Sequence, residues 1–235
     1  MKLGIMQPYF FPYLGYFDLI NYTDKWIVFD DVQYIRHGWI NRNRILHPSD
    51  DWSYIIVPVR YTRGMHIREV TIAEDGKWKK RIVGQLQHYK RKAPYYGGVM
   101  DLMEDCLALE DHRISHFNVF ALRKVCAYLG IYFDFAIFSE MNLNLENIDG
   151  PGDWALRISQ VVGANEYANP PGGEALFNKE SFSASNIKLT IRNLPPLIYD
   201  CPGYKFIPNL SIVDVLMWNA AETIKNHLDQ HRNKG

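Results

Sequence analysis

The chain has 235 residues and no formal net charge, because 26 Lys and Arg residues balance 26 Asp and Glu residues. This length is enough for one sizeable domain that buries its apolar surface without disulfides or metals. Zero net charge gives no overall field toward nucleic acid or anionic membranes, so small-molecule substrates are the expected partners and a homo-oligomer stays open.

Two short apolar runs near the N-terminus predict buried strands. KLGIMQP covers residues 2–8 and ends at a proline, and WIVFD covers residues 26–30. Between them, the apolar spacing of residues 14–21 predicts a helix. A strand, helix and strand at this spacing predict a right-handed crossover with two parallel, neighbouring strands.

The rest of the chain alternates strand-like runs with helical periodicity. Strands are predicted at residues 52–59, 65–72, 132–139 and 186–193, with an extended segment at 164–173. Helices are predicted at residues 77–88, 98–108, 114–129, 153–162 and 210–220, followed by a helical polar tail. Asp153 and Ser211 are the expected N-caps of the last two helices, and Gly130 is an expected helix stop.

This alternation predicts an α/β fold with a mostly parallel sheet and helices on both faces. We expect a single α/β domain over residues 1–235, with a helical segment at 76–130 inserted into it and a helix at the C-terminus. No internal repeat or low-complexity linker divides the chain.

The cysteine pattern and the absence of a leader favour a cytoplasmic protein. Cys106, Cys126 and Cys201 are far apart and form no CxxC pair, which disfavours both a disulfide framework and a structural zinc site. The N-terminal residues do not show the pattern of a secretory leader, and no run of ~18 apolar residues is present, so we expect neither secretion nor membrane insertion.

The stretch QPYFFPYLGYFDLI, residues 7–20, is the first candidate site. It lies between a strand and a helix, where doubly wound proteins bind ligands beyond the carboxyl ends of the strands. Gly15 lets a ligand approach the backbone, and the helix that starts there presents free N–H groups to a phosphate. The predicted binding residues are Gln7, Tyr9, Tyr13, Gly15 and Tyr16. The alternative is that these aromatic residues only form the core of a loop.

The stretch FDDVQYIRHGWINRNRI, residues 29–45, follows the second predicted strand and reaches the same end of the sheet. Asp30 and Asp31 are candidates for a Mg²⁺ site or for a general base, and Arg42 for a catalytic cation. Amide and phenol groups add hydrogen-bonding capacity for hydroxyls, carboxylates or phosphate. The predicted binding residues here are Gln33, Tyr34, Asn41 and Asn43. A solvated loop with incidental charges is the alternative.

The corner ANPPGG places Gly172 and Gly173 where they could cradle a phosphate or a sugar, although any tight turn could use the same residues. The sequence has no GxxxxGK[ST] and no GxGxxG after a strand. We therefore expect no NAD, and nothing in the composition indicates haem.

Several motifs in order resemble the WbqC-like protein family over nearly the whole chain. They are MQPYFFPYLGYFDLI, WIVFDDVQY, GWINRNRI, ANPPGGEALF and FIPNLSIVDVLMWN. The resemblance implies a role in making bacterial surface polysaccharides such as the O-antigen of lipopolysaccharide. It also implies attachment of an amino acid, for example glycine, to an amino sugar.

Residues 13–20 also resemble the H-x-G-H-x-x-L-I stretch of pantothenate-synthetase-like nucleotidyltransferases, with Tyr13 and Tyr16 in place of the histidines. This resemblance implies a Rossmann-like fold of the nucleotidyltransferase type, ATP at the helix start, and an acyl adenylate that an amine attacks. Because tyrosine cannot supply an imidazolium charge, Arg42, Arg44 or Mg²⁺ on the paired aspartates would have to replace it.

The sequence thus predicts a transferase or ligase that forms an amide between a small carboxylic acid and the amino group of a nucleotide-linked sugar, with ATP and Mg²⁺ as cofactors. Two alternatives stay open. One is an N-acyltransferase that takes its acyl group from an acyl carrier or coenzyme A, and the other is a non-catalytic protein that binds nucleotide-sugars.

Overall fold

The computed structural model describes residues 1–146 and 148–232. The strands are β1 (Lys2–Met6), β2 (Lys25–Val28), β3 (Arg42–Leu46), β4 (Trp52–Ile56), β5 (Val59–Arg60), β6 (Thr71–Ile72), β7 (Phe135–Ile137), β8 (Glu166–Asn169) and β9 (Lys188–Ile191). The α-helices are α1 (Leu14–Tyr22), α2 (Trp78–Leu86), α3 (Tyr96–Leu107), α4 (Ile114–Leu129), α5 (Asp153–Val161), α6 (Lys179–Ala184), α7 (Ile212–Trp218) and α8 (Ala221–Arg232).

The main sheet has five strands in the order β7-β2-β1-β8-β9, and all four pairings are parallel. The predicted parallel pairing of the first two strands is confirmed, with Leu3 opposite Lys25 and Met6 opposite Val28. The predicted α/β fold class is confirmed as well. From β1, the chain builds the sheet outward through β2 and β7, and then returns to the other side of β1 to add β8 and β9.

Helices cover both faces of this sheet because successive side chains of a strand point to opposite faces. Leu3 and Ile27 belong to a core cluster that includes residues of α5 and α6. Trp26 and Val28 belong to the larger cluster, to which α1, α4 and α8 contribute. Gly4 is needed here, because a Cβ atom on it would lie 2.5 Å from Cε3 of the Trp26 ring.

Two small antiparallel sheets lie outside the main one. β3 pairs with β4, and β5 pairs with β6. The loop predicted at residues 29–45 is wrong at its end: residues 42–45 belong to β3, because β4 supplies their hydrogen bonds. The strand predicted at 65–72 is wrong over most of its length: Ile67–Glu69 is a 3-10 turn and only Thr71–Ile72 is a strand.

The helix boundaries follow the predictions closely. α4 ends where Gly130 adopts φ +67°, and the hydroxyl of Ser211 accepts the N–H of Val213 at the start of α7, as expected for an N-cap. The N-cap prediction for Asp153 is wrong, because Gly152 occupies that position. Asp153 instead accepts the backbone N–H groups of the preceding turn, from Asp149 and Gly150.

Three helices lie inside the range 76–130, and the division of the chain into one domain with a helical segment there stays a prediction. Within the described residues, no helix is long and apolar enough to cross a bilayer.

Candidate functional site

A cleft of about 1380 Å³ opens at the carboxyl ends of the strands. The loops that follow β1, β8 and β9 line it, together with residues from the segment after β2. The sheet order changes direction between β1 and β8, which is where doubly wound folds bind their ligands. The cleft therefore lies where the order of the strands predicts a ligand.

The aromatic stretch after β1 divides into a packed part and an exposed part. Gln7, Tyr9 and Tyr13 line the cleft, and so does Gly15. Phe10 and Phe11 are fully buried, and Tyr16 is buried with its hydroxyl donating to the carbonyl of Gln7 at 2.9 Å. Phe10, Phe11 and Tyr16 therefore form the core of the loop, and a binding role for the residues that line the cleft stays a prediction.

Two buried asparagines hold this loop in place. The side-chain amide of Asn43 donates to the carbonyls of Phe10 and Phe11, at 3.0 and 2.9 Å. The amide of Asn118, in α4, donates to the carbonyls of Pro8 and Ile40 at 2.7 Å each. A proline-rich loop cannot satisfy its own carbonyls through a regular ladder, so these amides fix its shape. Asn43 lines the cleft, but its donor groups serve the loop.

The start of α1 points its unsatisfied end toward the cleft. Tyr13 occupies the N-cap position without a side-chain cap, and the first turn carries no acidic residue. Because the first N–H groups of a helix lack intrahelical partners and carry partial positive charge, this end favours an anion. A Cβ on Gly15 would lie 2.5 Å from the ring of Tyr13, so glycine allows that ring to lie across the helix start.

Arg44 is a cation on the wall of the cleft. Its guanidinium lies 5.5 Å from the ring of Trp39 and 5.2 Å from the ring of Trp52. Nη2 donates to the carbonyl of Asn209 at 3.3 Å, and no carboxylate of the described residues pairs with it. Stacking on aromatic rings restricts a guanidinium without neutralising it, so Arg44 is available to an anionic ligand.

Arg42 shares a strand face with Arg44 but does not line the cleft. Its guanidinium stacks over the ring of Tyr54, at 4.1 Å, and donates to the carbonyl of His37. The predicted catalytic cation, Arg42, thus lies outside the lining of the cleft, whereas Arg44, two residues further along the same strand, lines it.

Asp30 and Asp31 use their carboxylates on different partners. Asp30 is buried and accepts both the N–H and the hydroxyl of Ser139, at 3.0 and 2.7 Å. Asp31 lies 2.6 Å from Nδ1 of His66 and 3.0 Å from Nε of Arg68. Neither lines the cleft, and no group of three or more His, Cys, Asp or Glu within the described residues is arranged to hold a metal. Their arrangement does not suit a shared Mg²⁺, and the Mg²⁺ site stays a prediction.

Of the other predicted polar residues in the segment after β2, one lines the cleft and two lie outside it. Gln33 lines the cleft and pairs with His66 through an antiparallel bridge. The hydroxyl of Tyr34 donates to Asn41, whose amide donates to the carbonyl of Val57. Tyr34 and Asn41 therefore tie the loop to the end of β4 and lie outside the lining of the cleft.

Gly172 and Gly173 line the opposite wall of the cleft, and their predicted role in binding a phosphate or a sugar stays a prediction. A Cβ on Gly173 would lie 2.4 Å from Nδ2 of Asn169, a second lining residue, whose Oδ1 accepts the hydroxyl of Tyr167. Asn169 and Arg192 follow directly from the ends of β8 and β9, and the rule that placed the first loop at the cleft could have found them. The wall formed by residues 194–210 has no motif that would have indicated it.

Two phenols of the cleft keep their protons over a wide pH range. Burial raises the pKa of Tyr9 and also that of Tyr13, for which Tyr9 and Asp18 add to the effect. Neither hydroxyl has a hydrogen-bond partner among the described residues. Both can therefore donate to a ligand oxygen.

Fold and cleft together define a doubly wound α/β protein with a cleft at its switch point. The model of the WbqC-like protein family matches residues 7–226, and the chain belongs to this family, which confirms the resemblance. It is 30% identical over 232 residues to the uncharacterized protein Rv1507c of Mycobacterium tuberculosis, an alignment that covers 94% of this chain and 95% of that protein. No solved structure matches the chain.

Proposed function

We propose that this protein is an enzyme of bacterial surface-polysaccharide (O-antigen) biosynthesis that joins a small carboxylic acid to the amino group of a nucleotide-linked amino sugar. The observation that carries the proposal is the pairing of two anion-favouring groups in one cavity. The uncapped start of α1 at Gly15 and the guanidinium of Arg44 both face the cleft of about 1380 Å³.

These two groups are neighbours. The backbone carbonyl of Arg44 accepts the N–H of Ser211 at 2.9 Å, and Ser211 pairs with Tyr13, the N-cap of α1. A diphosphate bound at Tyr13 would therefore lie within a short distance of Arg44. Tyr9 and Tyr13 add hydrogen-bond donors, and Trp39 adds an aromatic face for a base or a sugar ring.

The charges that line the cleft also favour an anion. Arg44, Arg192 and Asp149 are the charged residues of the lining among the described residues. Arg192 is neutralised by Asp18, and Asp149 is exposed on a separate loop. Arg44 is left as the cation that a phosphate would meet.

Amide formation requires that the attacking ammonium lose a proton, and in our proposal His66 accepts it. If Asp31 accepts the Nδ1 proton of His66, the lone pair of the ring is on Nε2. Gln33 lines the cleft and pairs through its backbone with His66, so the Asp31–His66 pair lies at the margin of the cavity. The freed amine then attacks the acyl carbon, the C–N bond forms, and the bond from that carbon to AMP or to the thiol sulfur breaks. AMP or the thiolate leaves with the bonding electrons and takes up the second proton that the nitrogen loses.

Binding is tested by calorimetry with UDP- and dTDP-linked amino sugars. Replacement of Arg44 by Gln is expected to weaken binding roughly ten- to hundredfold, because a hydrogen bond to a charged group contributes about 1.5–3 kcal/mol. Arg42→Gln is the matched control. It also removes a guanidinium from this face of β3, but Arg42 does not line the cleft. Equal losses in both variants would contradict the placement of the phosphates.

Catalysis is tested with a nucleotide-linked amino sugar, glycine, ATP and Mg²⁺, followed by mass spectrometry of the sugar and measurement of AMP release. A second assay replaces glycine and ATP with an acyl thioester. Product in either assay, lost in both His66→Gln and Asp31→Asn, supports the enzyme and identifies its donor. Tight binding of nucleotide-sugars without product in either assay would favour the non-catalytic alternative.

A further inference from the structure

One side of the cleft is an apolar wall built from residues 194–210. Its lining side chains include Leu194, Leu197, Tyr199, Phe206, Ile207 and Leu210. The same segment carries Asp200 and Lys205, but both are exposed and neither lines the cleft. A charged ligand group pressed against this wall would lose water without gaining a partner, whereas an aliphatic group would gain free energy from burial.

The wall is fixed by hydrogen bonds before any ligand binds. The hydroxyl of Tyr199 donates to the buried carboxylate of Asp214 at 3.0 Å. Nε2 of His227 lies 3.0 Å from the carbonyl of Pro195, which ties the start of the wall to α8. The ring of Phe206 packs edge-on against Tyr199, with centroids 5.0 Å apart. The apolar surface is therefore preformed, and ligand binding does not include the free-energy cost of ordering it.

The wall ends next to the group that would bind a phosphate. Arg44 donates to the carbonyl of Asn209, at the C-terminal end of the wall segment. A ligand with its phosphate at Arg44 thus places whatever is attached to that phosphate along the wall.

Large apolar side chains surround the mouth of the cleft as well. Ile35 is 64% exposed and Leu176 is 56% exposed, and both line the cavity from the segments that follow β2 and β8. Ile198, next to two lining residues of the wall, is 69% exposed. Side chains of this kind gathered around an opening are typical of a binding surface for an apolar group.

We propose that the cleft takes an amphiphilic ligand, in which a phosphate-bearing group at Arg44 is joined to an aliphatic or acyl chain that lies along residues 194–210. This deepens the proposed function, on which it rests for the position of the phosphate: the diphosphate of the nucleotide-sugar lies at the start of α1, and the phosphate of the amphiphilic ligand lies at the neighbouring Arg44. A phosphopantetheine thioester and a prenyl phosphate share this amphiphilic chemistry. If the ligand is the thioester, the group transferred is an uncharged acyl group and not glycine, because the ammonium of an amino acid finds no carboxylate in the wall. A prenyl phosphate has no acyl group to transfer and would be bound through its chain and phosphate alone.

The test is a chain-length series of inorganic phosphate, butyl, hexyl and octyl phosphate, with binding measured by calorimetry below the concentrations at which the probes aggregate. Since burial of a methylene contributes about 0.8 kcal/mol, affinity is expected to rise up to roughly fourfold per methylene until the chain fills the wall. Affinity independent of chain length would overturn the proposal.

Variants test whether the dependence of affinity on chain length comes from contacts with the wall. Leu197→Asn is expected to flatten the chain-length dependence while leaving inorganic phosphate binding unchanged, and Arg44→Gln to weaken every member by the same factor. Ile35→Ser repeats the first test at an exposed side chain whose loss leaves the core intact. Tyr132→Ser, at a side chain that is 82% exposed and outside the cleft, is the control for non-specific binding. An unchanged slope in both Leu197→Asn and Ile35→Ser would contradict the placement.

Hexanoyl-pantetheine phosphate and geranyl phosphate then distinguish the two sources, and the one that binds more tightly than hexyl phosphate identifies the class. If neither does, a chain attached to phosphate is not what the wall selects, and the proposal fails. A chain-length slope without any amide product would leave this inference standing and reject the proposed reaction.

Discussion

Arg192, at the end of β9, forms a bidentate ion pair with Asp18 of α1, with both N···O distances at 2.9 Å. The two residues are 7% and 2% exposed. Nη2 of Arg192 also donates to the carbonyl of His231 at 2.7 Å. One guanidinium of the cleft lining therefore joins the end of the last strand to the first and last helices, and its charge is already compensated.

Asp18→Ala is expected to lower the free energy of unfolding by about 3–5 kcal/mol, because it leaves the Arg192 charge buried without its partner. Denaturant unfolding measures the change. The double variant Asp18→Leu with Arg192→Leu should recover much of the loss, since no charge then stays buried. Asp105→Ala, which breaks the exposed pair with Lys124, should cost less than about 1 kcal/mol. Equal losses in Asp18→Ala and Asp105→Ala would show that burial is not what makes the pair matter.

Asn118→Leu tests whether a helix holds the aromatic loop. Both donors of the amide would be lost, and the carbonyls of Pro8 and Ile40 would be left buried without a partner, which we expect to cost about 2–4 kcal/mol of stability. Ligand affinity should fall as well, because the loop carries Tyr9 into the cleft. Asn226→Leu, on the exposed face of α8, should leave both properties nearly unchanged. A stable variant with normal affinity would mean that the loop holds its own shape.

The sheet and the helices could be predicted because their patterns are local. Residues 114–129 show the apolar spacing of a helix and end at a glycine, and the two runs that became β1 and β2 are bounded by a proline and by charges. β3 could not be predicted because Arg42, Asn43 and Arg44 continue the polar composition of the preceding segment and show no alternation of apolar and polar residues. Its pairing with β4 supplies the preference that its own sequence lacks.

The candidate site could be predicted only as far as the topology goes. The rule for switch points placed Gln7, Tyr13 and Gly15 at the cleft, since it needs only the order of elements. It could not tell that Asp30 turns toward Ser139, because that contact joins residues 109 positions apart. Two neighbouring residues at a strand end point in different directions, and sequence adjacency says nothing of which one meets a ligand.

The corner after β8 has two adjacent glycines, Gly172 and Gly173, that differ in the space around them. A Cβ on Gly173 would lie 2.4 Å from Nδ2 of Asn169, whereas a Cβ on Gly172 would meet nothing within 4 Å. Gly173→Ala is therefore expected to displace Asn169 and to lower stability by about 1–3 kcal/mol, as overpacking does. Gly172→Ala should leave the thermal midpoint within experimental error. If both variants unfold at the temperature of the unmodified chain, the contact with Asn169 does not constrain the corner.

His88 makes the stability of the fold depend on pH. Burial lowers its pKa to about 4, with the charges of His47 and Lys92 adding to the effect, and the hydroxyl of Tyr204 lies 2.8 Å from Nδ1. The unfolded chain takes up the proton near the ordinary value of 6.5, and the folded chain does so only near 4. Between these values the unfolded state binds more protons, so stability falls as the pH is lowered from about 6.5 to about 4.

Urea unfolding at intervals from pH 7 to pH 4 measures this dependence. His88→Gln cannot titrate, but its amide can still meet the Tyr204 hydroxyl, so we expect its stability to decline less steeply over the same interval. His112→Gln, at an exposed side chain, serves as the control and should follow the unmodified protein. If the two variants decline in parallel, the acid sensitivity does not come from the burial of His88.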